Sequence, residues 1–98
     1  MGYNTFMIKS FSHKGLEKFF YDGTKKGIQA AHAKRIALIL DYLDAAEYIE
    51  DMNFPGLDLH SLRGKKKDYW AVRVSGNWRI VFRFDDANAY EVDYLDYH

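Results

Sequence analysis

Apolar residues recur along this chain with two periods, and the change from one to the other divides it into a helical half and a sheet half. Near the start, Phe6, Ile8 and Ser10 alternate with Met7, Lys9 and Phe11, which predicts a short first strand, with Ser12 placed to cap the helix that follows. Leu16, Phe19 and Phe20 then fall at i, i+3 and i+4, one stripe of a short amphipathic helix ended by Asp22-Gly23. Ile36, Ile39, Leu40 and Leu43 predict a longer helix from Gln29 to Tyr48, whose apolar stripe needs a sheet to cover it. Its exposed side carries His32, Lys34 and Arg35 early and Asp41, Asp44 and Glu47 late. That order opposes the helix macrodipole, at a cost of roughly a few tenths of a kcal/mol. Asn53-Phe54-Pro55-Gly56 breaks the helix, since proline lacks an amide proton and glycine supplies turn geometry.

From Tyr69 the period becomes two. Trp70, Val72 and Val74 alternate with Ala71, Arg73 and Ser75; after a turn at Ser75-Gly76-Asn77, so do Trp78, Ile80, Phe82 and Phe84 with Arg79, Val81 and Arg83. A second turn through Asp85, Asp86, Ala87 and Asn88 leads to Tyr90, Val92 and Tyr94. Even-numbered residues should therefore face the helices, and Asp93 should approach Arg79 on the outer face. The same parity would drive Asp96 into the core, where an unpaired carboxylate is costly, so a bend near Leu95 should turn Asp96, Tyr97 and His98 to the outer edge. The fold class expected is α+β: a single β-α-α-β-β-β domain, an antiparallel sheet with two helices packed on one face and a polar, arginine-bearing second face.

Composition narrows this to one domain with a single modest core, in 98 residues of which 48% are hydrophobic and 17% aromatic. The domain is expected over residues 7–98, with 1–6 an N-terminal extension. Without cysteine there are no disulfides and no thiolate metal ligands. No apolar run approaches the roughly 20 residues that span a bilayer, and no basic flank opens a signal peptide, so a soluble, cytoplasmic protein with no membrane partner is expected. A formal net charge of zero hides strong segregation. Residues 1–40 hold seven Lys or Arg against two acids, 41–60 six acids and no Lys or Arg, 61–83 seven Lys or Arg against Asp68, and 84–98 five acids. Separate basic and acidic faces could grip a polyanion on one side.

The outer face and the last residues hold what RNA cleavage needs without a metal. Attack of a ribose 2′-hydroxyl on its neighbouring phosphate requires a general base, a general acid for the 5′-oxygen, and cations for the charge building on phosphorus. His60, Tyr97 and His98 are candidates for proton transfer, and Arg63, Arg79 and the run Lys65, Lys66, Lys67 for phosphate contact. Each has a plainer reading. His60 can be a loop histidine satisfied by a backbone carbonyl, the lysines a solvated turn, Arg79 the partner of Asp93, Trp70 and Trp78 core, and Tyr97 with His98 a frayed end. His13 and His32 fall on exposed helical ground and carry no assignment. A metal site from His60, Asp96 and His98 is imaginable, but no helical histidine pair or cysteine spacing supports it, and no cofactor is implied.

Several short motifs together resemble the RelE superfamily of bacterial toxins, and most closely its HigB branch: Met7-Ile8-Lys9-Ser10-Phe11, His13-Lys14-Gly15-Leu16, Leu59-His60-Ser61-Leu62-Arg63-Gly64, Tyr69-Trp70, Asn77-Trp78-Arg79-Ile80 and Asp96-Tyr97-His98. The resemblance implies a RelE-like fold and a ribosome-dependent messenger-RNA endonuclease that cuts in the decoding site and so inhibits translation. It also implies a helix-turn-helix, HigA-like antitoxin as partner, through which alone operator DNA would be contacted. Carried over by position, His60, Arg63, Asn77, Arg79, Asp96, Tyr97 and His98 would line the active site, with Lys65, Lys66, Lys67 and Arg73 meeting RNA. The chemistry expected has His98 or His60 taking the 2′-proton, Arg79 and Arg63 stabilising the transition state, and Asp96 with Tyr97 orienting the substrate or His98. As the last residue, His98 carries its α-carboxylate near the ring, which favours the protonated form and suits an acid. The rival from another class is an RNA or ribosome binder that does not cut.

Overall fold

In the computed structural model, which describes residues 6–62 and 68–97, the helical half supplies α1 (Lys14–Asp22) and α2 (Ala33–Ala45). The sheet half supplies β1 (His60–Ser61), β2 (Tyr69–Ser75), β3 (Trp78–Asp85) and β4 (Asn88–Asp96), paired antiparallel in that spatial order. The fold is thus α+β, a four-stranded antiparallel sheet with both helices on one face. Leu16 of α1 and Ile36, Ile39, Leu40 and Leu43 of α2 are buried against Val72, Val74, Ile80, Phe82 and Val92 of the sheet, the stripe and parity that the sequence predicts. Among the described residues no helix is long and apolar enough to cross a membrane.

The stretch expected as a first strand lies beside β4 and runs parallel to it. It touches β4 through two separate bridges, Ile8 to Ala89 and Phe11 to Val92, with Lys9 N–H donating to the Ala89 carbonyl at 2.7 Å and Ser12 N–H to the Val92 carbonyl at 2.9 Å. Because Ser12 is held in this edge, α1 begins one residue later than expected. His13 caps it, its Nδ1 accepting the Leu16 N–H at 3.0 Å, and the left-handed Gly23 closes it by donating to the Phe19 carbonyl.

The second helix is shorter at both ends than its periodicity suggests. A 3-10 turn at Ala30–His32 precedes it, and the chain becomes extended at Ala46 before a second 3-10 turn at Ile49–Met52. The side chain of Asp51 competes for the backbone there, its Oδ2 accepting the Glu47 and Tyr48 amides at 3.0 and 3.1 Å. Asp44 likewise accepts from Met7 N–H at 2.8 Å and Ile8 N–H at 3.1 Å. Asp44, placed against the α2 macrodipole, and Asp51, in the turn beyond it, each satisfy backbone amides.

Parity fails at one position in β4. Glu91 has φ 55°, and the register moves from Val81 opposite Asp93 to Arg83 opposite Tyr90, a β-bulge. Tyr90 therefore points to the outer face, not to the helices as its even number suggests, and the small Ala89 takes the buried position. The bend expected near Leu95 is also absent. β4 continues in register to Asp96, opposite Trp78, and Asp96 is exposed on the even side.

Two backbone features give opposite stability predictions. A Cβ on Gly27 would run into Gly15 Cα, so these glycines let the loop before α2 cross α1. Ala87 sits in the β3–β4 turn at φ 64°, beside Asp86 at φ 51°, a two-residue turn with both central residues left-handed. Gly27→Ala should destabilise by about 1–3 kcal/mol. Ala87→Gly should raise Tm by a few degrees, since relief of roughly 1–2 kcal/mol of left-handed strain exceeds the entropy added to the unfolded chain. Thermal melts of the two variants beside the parent measure both.

Candidate functional site

Cross-strand partners in an antiparallel sheet share a face, so the pairing register maps the face away from the helices row by row. The middle row runs His60, Ala71, Val81, Asp93 across all four strands, and the row beside it Arg73, Arg79, Leu95. The row at the opposite end holds Tyr69, Arg83 and Tyr90. Ala71 and Val81 are buried at 0% and 7% exposure, so small apolar side chains form a floor between the histidine and the arginines.

His60 is exposed on the two-residue β1, with Nδ1 2.9 Å from the Asp58 carbonyl. A carbonyl only accepts, so Nδ1 carries the hydrogen and the neutral ring presents its lone pair at Nε2. The carbonyl contact expected of a plain loop histidine thus also selects the tautomer a general base needs. Arg79 is half-buried and folds back on its own turn, donating to the Gly76 carbonyl at 2.8 Å and the Trp78 carbonyl at 3.1 Å. The pair expected with Asp93 does not form, since the register sets Asp93 opposite Val81 and its Oδ1 accepts the Tyr94 amide at 2.9 Å. The side chain of the exposed Arg73 has no hydrogen-bond or ion-pair partner among the described residues.

Gly76, with φ 56°, makes the tight β2–β3 turn, which places Asn77 at the tip. The Asn77 carbonyl accepts the Tyr97 N–H at 2.8 Å, so the residue after β4 is fastened to the turn that carries Arg79. Tyr97 is 39% exposed. The structure thus gathers Asn77, Arg79, Arg73 and Tyr97 at one end of the sheet, with His60 two strands across and one row along from Arg79, about 12 Å of backbone. Asp96 stands at the same end on the even side, not beside His60. Arg63, Lys65, Lys66, Lys67 and His98 lie outside the described residues.

The opposite end of the face is closed by its own contacts. The Tyr69 hydroxyl donates to Glu91 Oε1 at 2.8 Å, Arg83 lies 3.6 Å from Glu91 Oε2, and its guanidinium covers the Tyr90 ring at 4.2 Å from the centroid. The Glu91 hydrogen bond raises the Tyr69 pKa above its ordinary value, so the hydroxyl stays a donor. Arg83, counted in the basic block of the sequence, is thereby neutralised. Charge counting missed this because the partner lies in the acidic block and meets Arg83 only through the bulge.

Sequence reasoning also missed two histidines beneath the Asn77–Arg79 end of the sheet. His32 is buried rather than exposed, 8% accessible, with Nδ1 2.7 Å from the Tyr94 hydroxyl. The His13 ring meets the Tyr94 ring edge-on at 5.4 Å. Burial raises the Tyr94 pKa above its ordinary value, and the Asp96 carboxylate adds to the effect. The available signal was Tyr94 itself, a tyrosine at an inward position, where its hydroxyl must find a partner. Among the described residues no group of three His, Cys, Asp or Glu side chains is arranged to hold a metal.

Comparison with known proteins places this geometry in context. The family model described as the RelE-like toxin of type II toxin-antitoxin system HigB matches residues 9–98. The chain is 42% identical over 92 residues to the protein named Endoribonuclease HigB of Proteus vulgaris, covering 94% of this chain and 100% of that protein. It is 31% identical over 94 residues to Toxin HigB-1 of Vibrio cholerae serotype O1, covering 94% of this chain and 98% of that protein.

If Arg79 leaves its turn to meet a phosphate, Arg79→Ala should reduce the log–log slope of poly(U) affinity against salt by about one. Titrations at several salt concentrations measure it, and an unchanged slope would show that the guanidinium stays on the Gly76 carbonyl.

Proposed function

Since the chain belongs to the HigB-like toxins, a RelE-like family of type II toxin-antitoxin systems, we propose that it is an endoribonuclease that cuts messenger RNA in the ribosomal decoding site by metal-independent acid–base catalysis. An antitoxin partner follows from family membership, and we assign it the helix-turn-helix, HigA-like class, with operator DNA contacted only through it. The observation that carries the catalytic reading is the outer sheet face, where a tethered His60 stands over an apolar floor from two arginines not paired with acids. A relative named as an endoribonuclease and matched along its whole length supports the same reading.

In this mechanism the 2′-oxygen attacks the adjacent phosphorus while His60 Nε2 takes its proton. Negative charge builds on the phosphoryl oxygens, and Arg79, Arg73 and Arg63 stabilise it. The 5′-oxygen leaves with a proton from His98, and the upstream fragment ends in a 2′,3′-cyclic phosphate. Asn77, Asp96 and Tyr97 orient the substrate and His98, and Lys65, Lys66 and Lys67 bind RNA phosphates. The low-dielectric floor of Ala71 and Val81 strengthens each of these charge interactions.

The test maps messenger 5′ ends after purified protein is added to translating ribosomes, beside a ribosome-free control and the His60→Ala and His98→Ala variants. Codon-phased cuts that need ribosomes are expected, and each variant should slow them by about 100-fold or more, the usual contribution of a general acid or base. Ribosome binding without cuts would make the protein a binder rather than an enzyme.

A further inference from the structure

We propose that His32 is a positioning residue: through its 2.7 Å hydrogen bond to the Tyr94 hydroxyl, it fixes the end of β4 and so sets where Asp96 and Tyr97 stand against the Asn77–Arg79 turn. As a statement about cleavage this rests on the endoribonuclease reading; as a statement about geometry it does not.

His32 is the buried polar side chain among the described residues, and it lies in the 3-10 turn that leads into α2. An imidazole at that depth needs a partner, and a hydrophobic residue would bury the same area without one. The Tyr94 oxygen accepts the Gln29 N–H at 3.4 Å and lies 2.7 Å from His32 Nδ1, so its hydroxyl is engaged from two sides. The helical layer thus grips the tyrosine from the Gln29 backbone, from His32 and from the edge-on ring of His13.

The grip extends to the neighbouring strand. Trp78 packs on Tyr94 at 4.5 Å between ring centroids and meets His32 at 5.8 Å. Trp78 lies opposite Asp96 and between Asn77, whose carbonyl holds Tyr97, and Arg79. One directional bond from the helices therefore fixes both strands that carry the candidate site. The β3–β4 ladder fixes the register of β4; apolar contact adds no direction, whereas a hydrogen bond fixes the distance and angle of the Tyr94 ring against the helical layer. His32 touches no group that would react, and it acts through Tyr94 and Trp78.

The experiment compares Tyr94→Phe, His32→Leu, their double variant and His32→Asn, which keeps an acceptor where Nδ1 sits. Amide hydrogen exchange at Tyr97, whose N–H bonds the Asn77 carbonyl, reports geometry in the purified protein, and kcat and KM for ribosome-dependent cleavage report consequence. Tyr94→Phe and His32→Leu should each speed Tyr97 exchange by about tenfold, the loss of one ordinary hydrogen bond, while the amides of Ile80 and Phe82 are unchanged. Each should also lower kcat with KM little altered. The double variant should be no worse than either single one, and His32→Asn should restore most of both signals. Tyr97 exchange at the parent rate in both single variants, faster exchange spread evenly over β3, or a double variant equal to the product of the singles would overturn the proposal. Faster exchange with unchanged kcat would overturn its catalytic half. Faster Tyr97 exchange in a protein whose parent form cuts no RNA would remove the endoribonuclease reading and support the clamp.

Discussion

Glu91 takes a left-handed backbone conformation in the middle of β4, and with Val92 it stands opposite Phe82 alone. Such a conformation costs a residue other than glycine roughly 1–2 kcal/mol, and the contacts around this one offset that cost. Its N–H donates to Ser10 Oγ at 2.8 Å, and Val92 N–H donates to the Ser10 carbonyl at 3.1 Å, so the bulge is the dock for the N-terminal edge. Its carboxylate holds Tyr69 and lies beside Arg83 on the outer face. The extra residue also resets parity, sending Tyr90 outward and Val92 and Tyr94 inward. Without it, the alternation set by Tyr94 and Val92 would run on to bury Tyr90 in the space that Ala89 fits. The edge, the core and the outer face therefore all depend on one local distortion.

The same bulge divides the charge of the outer face. Arg83 is drawn to Glu91 and Tyr90, while Arg73 and Arg79, beyond the apolar floor, have no acid partner among the described residues. Positive potential is thereby concentrated near the β2–β3 turn rather than spread along the sheet, and a low-dielectric floor focuses it further. On the other side of the molecule Asp44 and Asp51 satisfy backbone amides. A net charge of zero is compatible with gripping a polyanion because these acids face elsewhere.

The elements were legible wherever a single period ran undisturbed. Ile36 to Leu43 identified the α2 stripe, and Val72, Ile80 and Phe82 the buried sheet face, because burial of apolar area decides both. What sequence could not show was competition for the backbone. Ser12 is a better helix cap than His13 by preference, yet its amide is committed to β4, and the α2 pattern runs on past the point where Asp51 takes the Glu47 amide. The bend near Leu95 was inferred from the cost of a buried carboxylate, but that cost never arises, because Asp96 is exposed at the end of an unbent β4. For the candidate site, the motifs named His60, Asn77, Arg79 and Tyr97, and pairing brings the last three together. They could not reveal His32, whose burial depends on a tyrosine sixty-two positions away.

The two parts of the candidate site are held by different means, and this determines how errors in one reach the other. His60 is set locally, by a two-residue strand and the carbonyl of Asp58, itself left-handed at φ 54°. Arg79 and Tyr97 are set by long-range pairing across β3 and β4. The link between the parts is β2, which pairs His60 with Ala71 on one side and Arg79 with Arg73 on the other. A slip of one residue along β2 would turn either His60 or Arg79 to the helix face. That slip is opposed by the core partners of the same strand, Val72 against Ile80 and Trp70 against Phe82, which would have to leave the interior together. The buried face of the sheet therefore acts as the ruler for the exposed one, and the spacing of histidine and arginine is as stable as the core that measures it.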